Sequence, residues 1–419
     1  MNQGRLLSTI GLVNISLLLL SSCFPLKPIA KHQKSTNLDR ISQTSKTISS
    51  GVVANFKREP LAKVTANSLV FDDLPQDLDD AQSDLLTDTA KLLAGMNIRD
   101  RSELALLKDT RVWSNHHRFL TTAWSQLEIE QLVPIRQWTQ QELSDIDTSN
   151  SSIFYPFSDA NFLQVYSLFS QGQEFILIGL EPVGTVPNLA YLPIEKLEQE
   201  LQKVRTYLDN IFPSDYFSDR HSSDFQTIQA LPALYVFLAK TNNRILDVEY
   251  IGISSEGKIQ KFQKGMVSGV KITFVTQGDS QPRFVYYFSA DLSNEGMETN
   301  PELVKFINNR TNLITYLEKA SYLMYFDSFS QIKDLILAGS SYLLQDDSGM
   351  PVNAFDSKQW NLKFYGNYTQ PVALFKNKYQ PELWKIYHYK NNIKPLKFSI
   401  GYQSEIGKSN LMLAENKSK

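Results

Sequence analysis

Cysteine is almost missing from these 419 residues: there is one, at position 23. With no second thiol for a disulfide, the fold must be held by its core, which a chain of this length can supply. Thiolate zinc sites are excluded with it. Histidine is scarce, at His32, His116, His117, His221 and His388. Neither His-Glu-x-x-His nor Gly-x-Ser-x-Gly occurs, which removes the zinc-peptidase and α/β-hydrolase signatures. His116 and His117 point to different sides of a helix and so do not chelate one metal. The net charge of −2 leaves no basic field for nucleic acid. A phosphate loop is suggested by Gly407-Lys408-Ser409, but Tyr402 stands where its first glycine belongs and ten residues follow Ser409, too few for a nucleotide fold. No nucleotide, metal or cofactor is expected.

Long apolar runs are also few. One extends from Leu6 to Leu20 behind the single cation Arg5. It is shorter than the about 20 residues a spanning helix needs, and Pro25, Lys27 and Pro28 follow at once, so it reads as a secretory h-region. The segment Leu20-Ser21-Ser22-Cys23 resembles the lipobox of bacterial lipoproteins. The resemblance implies that residues 1–22 are a signal peptide and that Cys23 carries a diacylglyceryl thioether and palmitate-type acyl chains. With Cys23 acylated, no thiol remains as a nucleophile. A membrane is then the partner and the cell envelope the address. Phe24 replaces the Asp read as inner-membrane retention, so the implied location is the outer membrane where two are present.

Residues 23–60 are rich in Ser, Thr, Lys and Gln and poor in aromatics, a composition that cannot offset its ordering entropy. They read as a tether reaching about 30 to 36 Å. An acidic run follows, Asp72, Asp73, Asp77, Asp79, Asp80, Asp84 and Asp88, without the mid-loop Gly and terminal Glu of a calcium loop. Leu78, Ala81, Leu85 and Leu92 instead fall at helical spacing ahead of Gly95. Residues 61–150 are expected to be mainly helical and residues 151–419 to form an α+β domain. Helices are expected near 100 to 130, 223 to 240, 300 to 324 and 328 to 339. The clearest is Ile194 to Ile211, with Pro193 at its head. Strand cues are Phe175–Leu180, Asp247–Ser254, Val270–Thr276, Arg283–Phe288, Ser341–Leu344, Leu362–Tyr365, Val372–Phe375 and Phe398–Tyr402. The turn-rich Gln277–Pro282 makes the third and fourth an antiparallel hairpin. The predicted class is α+β, a mixed or antiparallel sheet with several packed helices. About 360 folded residues leave room for two subdomains.

The chemically dense segments are Tyr155-Pro156-Phe157-Ser158-Asp159 and Glu181-Pro182-Val183-Gly184. Carboxylates at strand ends often line clefts, so Asp159 and Glu181 are the candidate acid and base of a glycosidase-like site, if they face each other. Caps and turns use the same residue types. Tyr155, Phe157, Asn161, Asp346 and Asp347 are the candidate binding residues. Gln345–Pro351 reads as a tight turn whose Asp346 and Asp347 have no third metal ligand in view. His221, beside Asp219 and Asp224, is a weaker candidate base.

Several stretches taken together resemble an uncharacterised family of exported bacterial proteins. They are Tyr155–Ser158, Glu181–Gly184, Leu234–Ala239, Gly269–Ile272, Tyr286–Ser289, Gln345–Gly349 and Gly366–Tyr368, spanning roughly residues 150 to 415. The resemblance implies a grouping and no mechanism. In that family a carboxylate falls where this chain has Asn161, and an amide cannot act as acid or base. The leading reading is therefore a lipid-anchored envelope protein that binds or scaffolds an unidentified envelope partner. The competing one is an envelope hydrolase using Asp159 and Glu181.

Overall fold

The computed structural model describes residues 76–212, 229–390, 393–403 and 405–419. Cys23, the tether, Asp72, Asp73, Asp219, His221 and Asp224 lie outside the described residues. Residues 75–419 form one compact unit.

Ten strands enter a single sheet: β1 (Ser152–Pro156), β2 (Glu174–Gly179), β3 (Asn243–Ile253), β4 (Ile259–Lys261), β5 (Ser268–Thr276), β6 (Arg283–Ser289), β7 (Leu313–Leu317), β8 (Ser340–Gln345), β9 (Trp360–Gly366) and β10 (Asn410–Asn416). Their spatial order is β4-β3-β5-β6-β2-β1-β7-β8-β10-β9. The five central strands, from β6 to β8, run parallel, and antiparallel strands finish both edges. The fold is α+β with a mixed sheet. The expected hairpin is present: β5 pairs β6 antiparallel across Gln277–Pro282.

Ten helices lie among the described residues. Six cover one face: α1 (Gln76–Leu93), α2 (Arg111–Leu127), α3 (Val133–Glu142), α4 (Phe162–Leu168), α5 (Ile194–Ile211) and α6 (Ala230–Lys240). The other face carries α7 (Asn294–Thr299), α8 (Pro301–Asn308), α9 (Ser330–Gly339) and α10 (Pro381–Tyr389). Successive residues of one strand therefore serve different cores: Ile153 and Tyr155 pack with the first helix set, Phe154 with the second. Because both faces are covered, β1, β2 and β7 are buried at nearly every position.

Where expectation and structure part, backbone hydrogen bonding explains it. The expected helix over 300 to 324 ends at Asn308, and β7 follows inside the same span, because Leu313–Leu317 gains two neighbouring strands. Phe398–Tyr402 forms no strand. Its donors go to side chains: Ser399 N–H to Gln131 Oε1 (3.2 Å), Ile400 N–H to Ser409 Oγ (2.9 Å) and Gly401 N–H to Glu318 Oε1 (3.0 Å). Val372–Phe375 runs into a 3₁₀ turn, with Phe375 buried against Tyr322 and Tyr402. Strands β1 and β10 carried no alternation to announce them.

The acidic run does enter a helix. On α1, Asp84 and Asp88 pair with Arg99, and Asp80 with Arg244. The pairing of β3 with β5 slips between Ile245 and Asp247, and α1 takes the displaced backbone groups. Ser83 Oγ donates to Ile245 O (2.7 Å), and Ile245 N–H donates to Thr87 Oγ1 (3.0 Å). This satisfies a buried bulge that would otherwise leave polar groups unpaired.

Candidate functional site

The chain places β2 on one side of β1 and, after building outward to β6, returns to place β7 on the other side. Loops leaving β1 and β7 thus diverge, which opens a crevice beyond their carboxyl ends, the usual place for a ligand in a parallel sheet. These two loops also hold most of the left-handed backbone outside glycine among the described residues. Phe157 (φ 62°), Asp159 (44°) and Ala160 (54°) follow β1, and Lys319 (53°), Ser321 (53°) and Tyr322 (56°) follow β7. Among the described residues Asn242 is the one other non-glycine with positive φ. Each such residue costs on the order of 1 kcal/mol or more, and strain of this kind collects at functional sites.

The strained turns are tied down from behind. Ser158 N–H donates to Ile178 O at 2.9 Å, and Asn161 N–H to Ser158 O at 2.7 Å. Asn161 then caps α4, its Oδ1 accepting from Gln164 N–H at 3.4 Å while its Nδ2 donates to Gln164 Oε1 at 3.0 Å. It is a buried cap. On the other loop, Ala320 N–H donates to Ser348 Oγ (2.9 Å) and Tyr322 N–H to Ser348 O (2.9 Å).

Asp159 and Glu181 meet. Their carboxyl groups are hydrogen-bonded to each other, and burial, then the Glu181 charge, push Asp159 up to about 8 against the opposing pull of Lys319. Asp159 therefore keeps its proton at neutral pH. Its side chain remains open to solvent. Two buried tyrosines hold the pair. Tyr287 OH donates to Glu181 Oε2 (3.2 Å) and Glu181 O (2.9 Å), and Tyr207 OH donates to Asp159 O. Burial keeps both phenols well above their ordinary range, so they remain donors. Gly179 allows the approach: a Cβ there would stand 2.7 Å from both Glu181 Oε2 and Tyr287 OH.

Behind this pair lies Glu318, buried, at the end of β7. Its Oε2 accepts from Tyr155 OH (3.2 Å) and Tyr316 OH (3.4 Å), its Oε1 from Gly401 N–H (3.0 Å), and Lys319 Nζ stands 3.8 Å from Oε1. Lys319 Nζ also donates to Ile211 O (3.2 Å). Glu318, Lys319 and Gly401 line a cavity of about 50 Å³, room for a water or two.

Asp346 and Asp347 follow β8 and are buried. Asp346 Oδ1 accepts from Ser348 N–H (2.9 Å) and Oγ (2.6 Å), and Oδ2 from Lys319 N–H (3.3 Å). Burial and the Asp347 charge push Asp346 up to about 8. Asp347 accepts from Asn410 Nδ2 (2.9 Å) and Tyr322 OH, and its carbonyl from Gln380 Nε2 (2.9 Å). The two acids cross-tie the loops. Among the described residues no three His, Cys, Asp or Glu side chains stand where they could hold a metal ion.

No family model matches the chain, and no curated protein matches it either. Any function must come from the site itself.

Of the residues singled out in the sequence, the structure brings Asp159 and Glu181 into contact and sets Tyr155 behind them on Glu318. Phe157 turns away to pack against Phe329 on the other core (centroids 6.1 Å apart). His116 and His117 hold the end of α1 through Leu93 O (2.8 Å) and Gly95 O (2.7 Å). Glu318, Lys319, Tyr207 and Tyr287 were not singled out. A signal existed: all five central strands are followed within three residues by an acid, Asp159, Glu181, Asp291, Glu318 and Asp346.

Proposed function

We propose that the carboxyl edge of the central strands is the working site of a hydrolase in which Asp159 and Glu181 act as one proton-sharing dyad. The supporting observation is the hydrogen bond between their side chains at the strand ends, with the proton on Asp159. Hydrogen-bonded carboxyls are closer than the about 5 to 5.5 Å of a retaining glycosidase, which favours water attack on an amide or ester carbonyl over glycoside cleavage. Glu181 would take a proton from the attacking water as Asp159 gives its own to the carbonyl oxygen. Collapse of the tetrahedral intermediate breaks the bond to the leaving group, which takes the proton held by Glu181, and the gem-diol hydroxyl returns a proton to Asp159.

The test is incubation of the protein with envelope extract in ¹⁸O-labelled water, followed by mass spectrometry of the released acids. Asp159→Asn and Glu181→Gln should each lower label incorporation by about 10² to 10⁴. Incorporation no higher than in the double variant would remove the hydrolase reading. Binding or scaffolding then takes its place, a reading favoured by the saturation of Glu318, Asp346 and Asp347 with internal hydrogen bonds, as in a rigid ligand seat.

The address we propose is the cell envelope, with Cys23 acylated. Leu20-Ser21-Ser22-Cys23 supports it. Globomycin should accumulate the unprocessed chain, and Cys23→Ser should release the protein or block cleavage. Normal processing in both cases removes the anchor.

A further inference from the structure

On the sheet face covered by α1 to α6, a groove of about 710 Å³ opens between α2, α4 and the end of α6. This is the size of a small-ligand site. Lys240, the last residue of α6, holds its amine 4.9 Å over the Trp124 ring, and no carboxylate among the described residues stands within ion-pair distance of it. Burial alone lowers its pKa to about 8, so the ammonium sits partly desolvated without a counter-charge.

Arg136 and its ion-pair partner Glu128 both line the groove, so their charges offset each other. Behind the wall, Arg283 is buried and bonds to Tyr166 OH (3.1 Å), Ser170 O and Thr276 Oγ1, again with no carboxylate among the described residues. The rest of the lining sets hydroxyls and amides such as Thr121, Ser167 and Asn242 among a larger apolar surface that includes Trp124, Leu132 and Leu163. Two backbone irregularities shape this wall. A π-helical turn at Glu128–Leu132 widens the helix that continues α2, and Asn242 adopts φ 61° just past Lys240. Turns of the first kind are frequent at functional sites.

We propose that this groove is a second binding site, for a small polyhydroxyl acid, with the ligand's anionic group paired to Lys240 and its hydroxyls met by the Ser, Thr and Asn lining. An acid here would supply the charge that Lys240 lacks, and a charge-assisted bond in such a setting is worth about tenfold in affinity or more. The site is independent of the Asp159–Glu181 dyad.

The experiment is isothermal titration of the full chain in detergent with glucose 6-phosphate, glucuronate, inorganic phosphate and glucose. Saturable binding of either sugar acid, with glucose at least about tenfold weaker, is expected. The two acids separate a phosphate ligand from a carboxylate one, and phosphate binding as tightly as glucose 6-phosphate would show an adventitious ion only. Lys240→Gln should weaken the sugar acid about tenfold, Lys240→Arg should restore most of it, and Asp159→Asn should leave it unchanged. No saturable binding at millimolar concentration, equal binding of glucose, or unchanged binding by Lys240→Gln overturns the proposal. Because wild type must itself discriminate acid from neutral sugar, the conclusion stands even if a variant folds poorly.

Discussion

Gly401 sits wedged between two buried acids: its N–H donates to Glu318 Oε1 at 3.0 Å, and a Cβ at its position would stand 2.2 Å from Asp346 Oδ2. The residue is also left-handed, φ 72°. Gly401→Ala should therefore lower stability by about 2 to 3 kcal/mol, combining backbone strain with the collision. Gly278→Ala is the control, because Gly278 has φ 89° but open space around it. It should lose about 1 kcal/mol. Equal losses by urea denaturation would mean that Gly401 does not press on Asp346.

Asp159 links the site to pH. Its folded pKa, about 8, lies above the unfolded value of about 3.9. Below the unfolded value both states carry the proton and nothing is lost. As pH rises from there toward 8, the unfolded state releases its proton first, so stability falls with rising pH and levels off above the folded pKa. Asp346 acts in the same direction. Asp159→Asn cannot ionise, and its melting temperature should fall less than that of wild type between pH 6.5 and 8.5. Parallel curves would show that Asp159 is not held protonated.

His116 works in the opposite sense. Burial depresses it to about 3, and its Nε2 meets Leu93 O at 2.8 Å. The unfolded chain takes up a proton near pH 6.5 while the folded chain does not, so stability present above that value is lost as pH falls toward 3. His116→Gln should lose less melting temperature than wild type between pH 7 and 4.5. A variant as acid-sensitive as wild type would place the acid response elsewhere.

How much of this was legible in the sequence follows from burial. Strand β2 is an apolar run followed by Glu181-Pro182-Val183-Gly184, and the β5–β6 hairpin has a polar spacer, so both could be read. Helix α5 showed because its outward face is polar, with Leu197, Leu201, Val204 and Leu208 buried beneath it. Strand β7 is buried at all five positions and carries no alternation, so period could not separate it from a helix, and Glu318 and Lys319 were hidden with it. The Asp159–Glu181 contact was conceivable from two acids after two apolar runs. That β1 and β2 are adjacent and parallel, which brings them together, is a property of the topology.

Asn161 provides a test of cap against catalyst. Its side chain bonds twice to Gln164 at the start of α4, and among the described residues no hydrogen bond joins it to the Asp159–Glu181 pair. Asn161→Ala should lower stability by about 1 kcal/mol through loss of the cap. Asn161→Asp keeps an acceptor where the helix dipole favours negative charge, so its melting temperature should stay closer to wild type than that of the alanine variant. Label incorporation should follow stability in both variants, with no gain from the new carboxylate. A gain of tenfold or more in Asn161→Asp would show that a carboxylate at this position reaches the reacting atoms, and the dyad would then have to be reassigned as a triad.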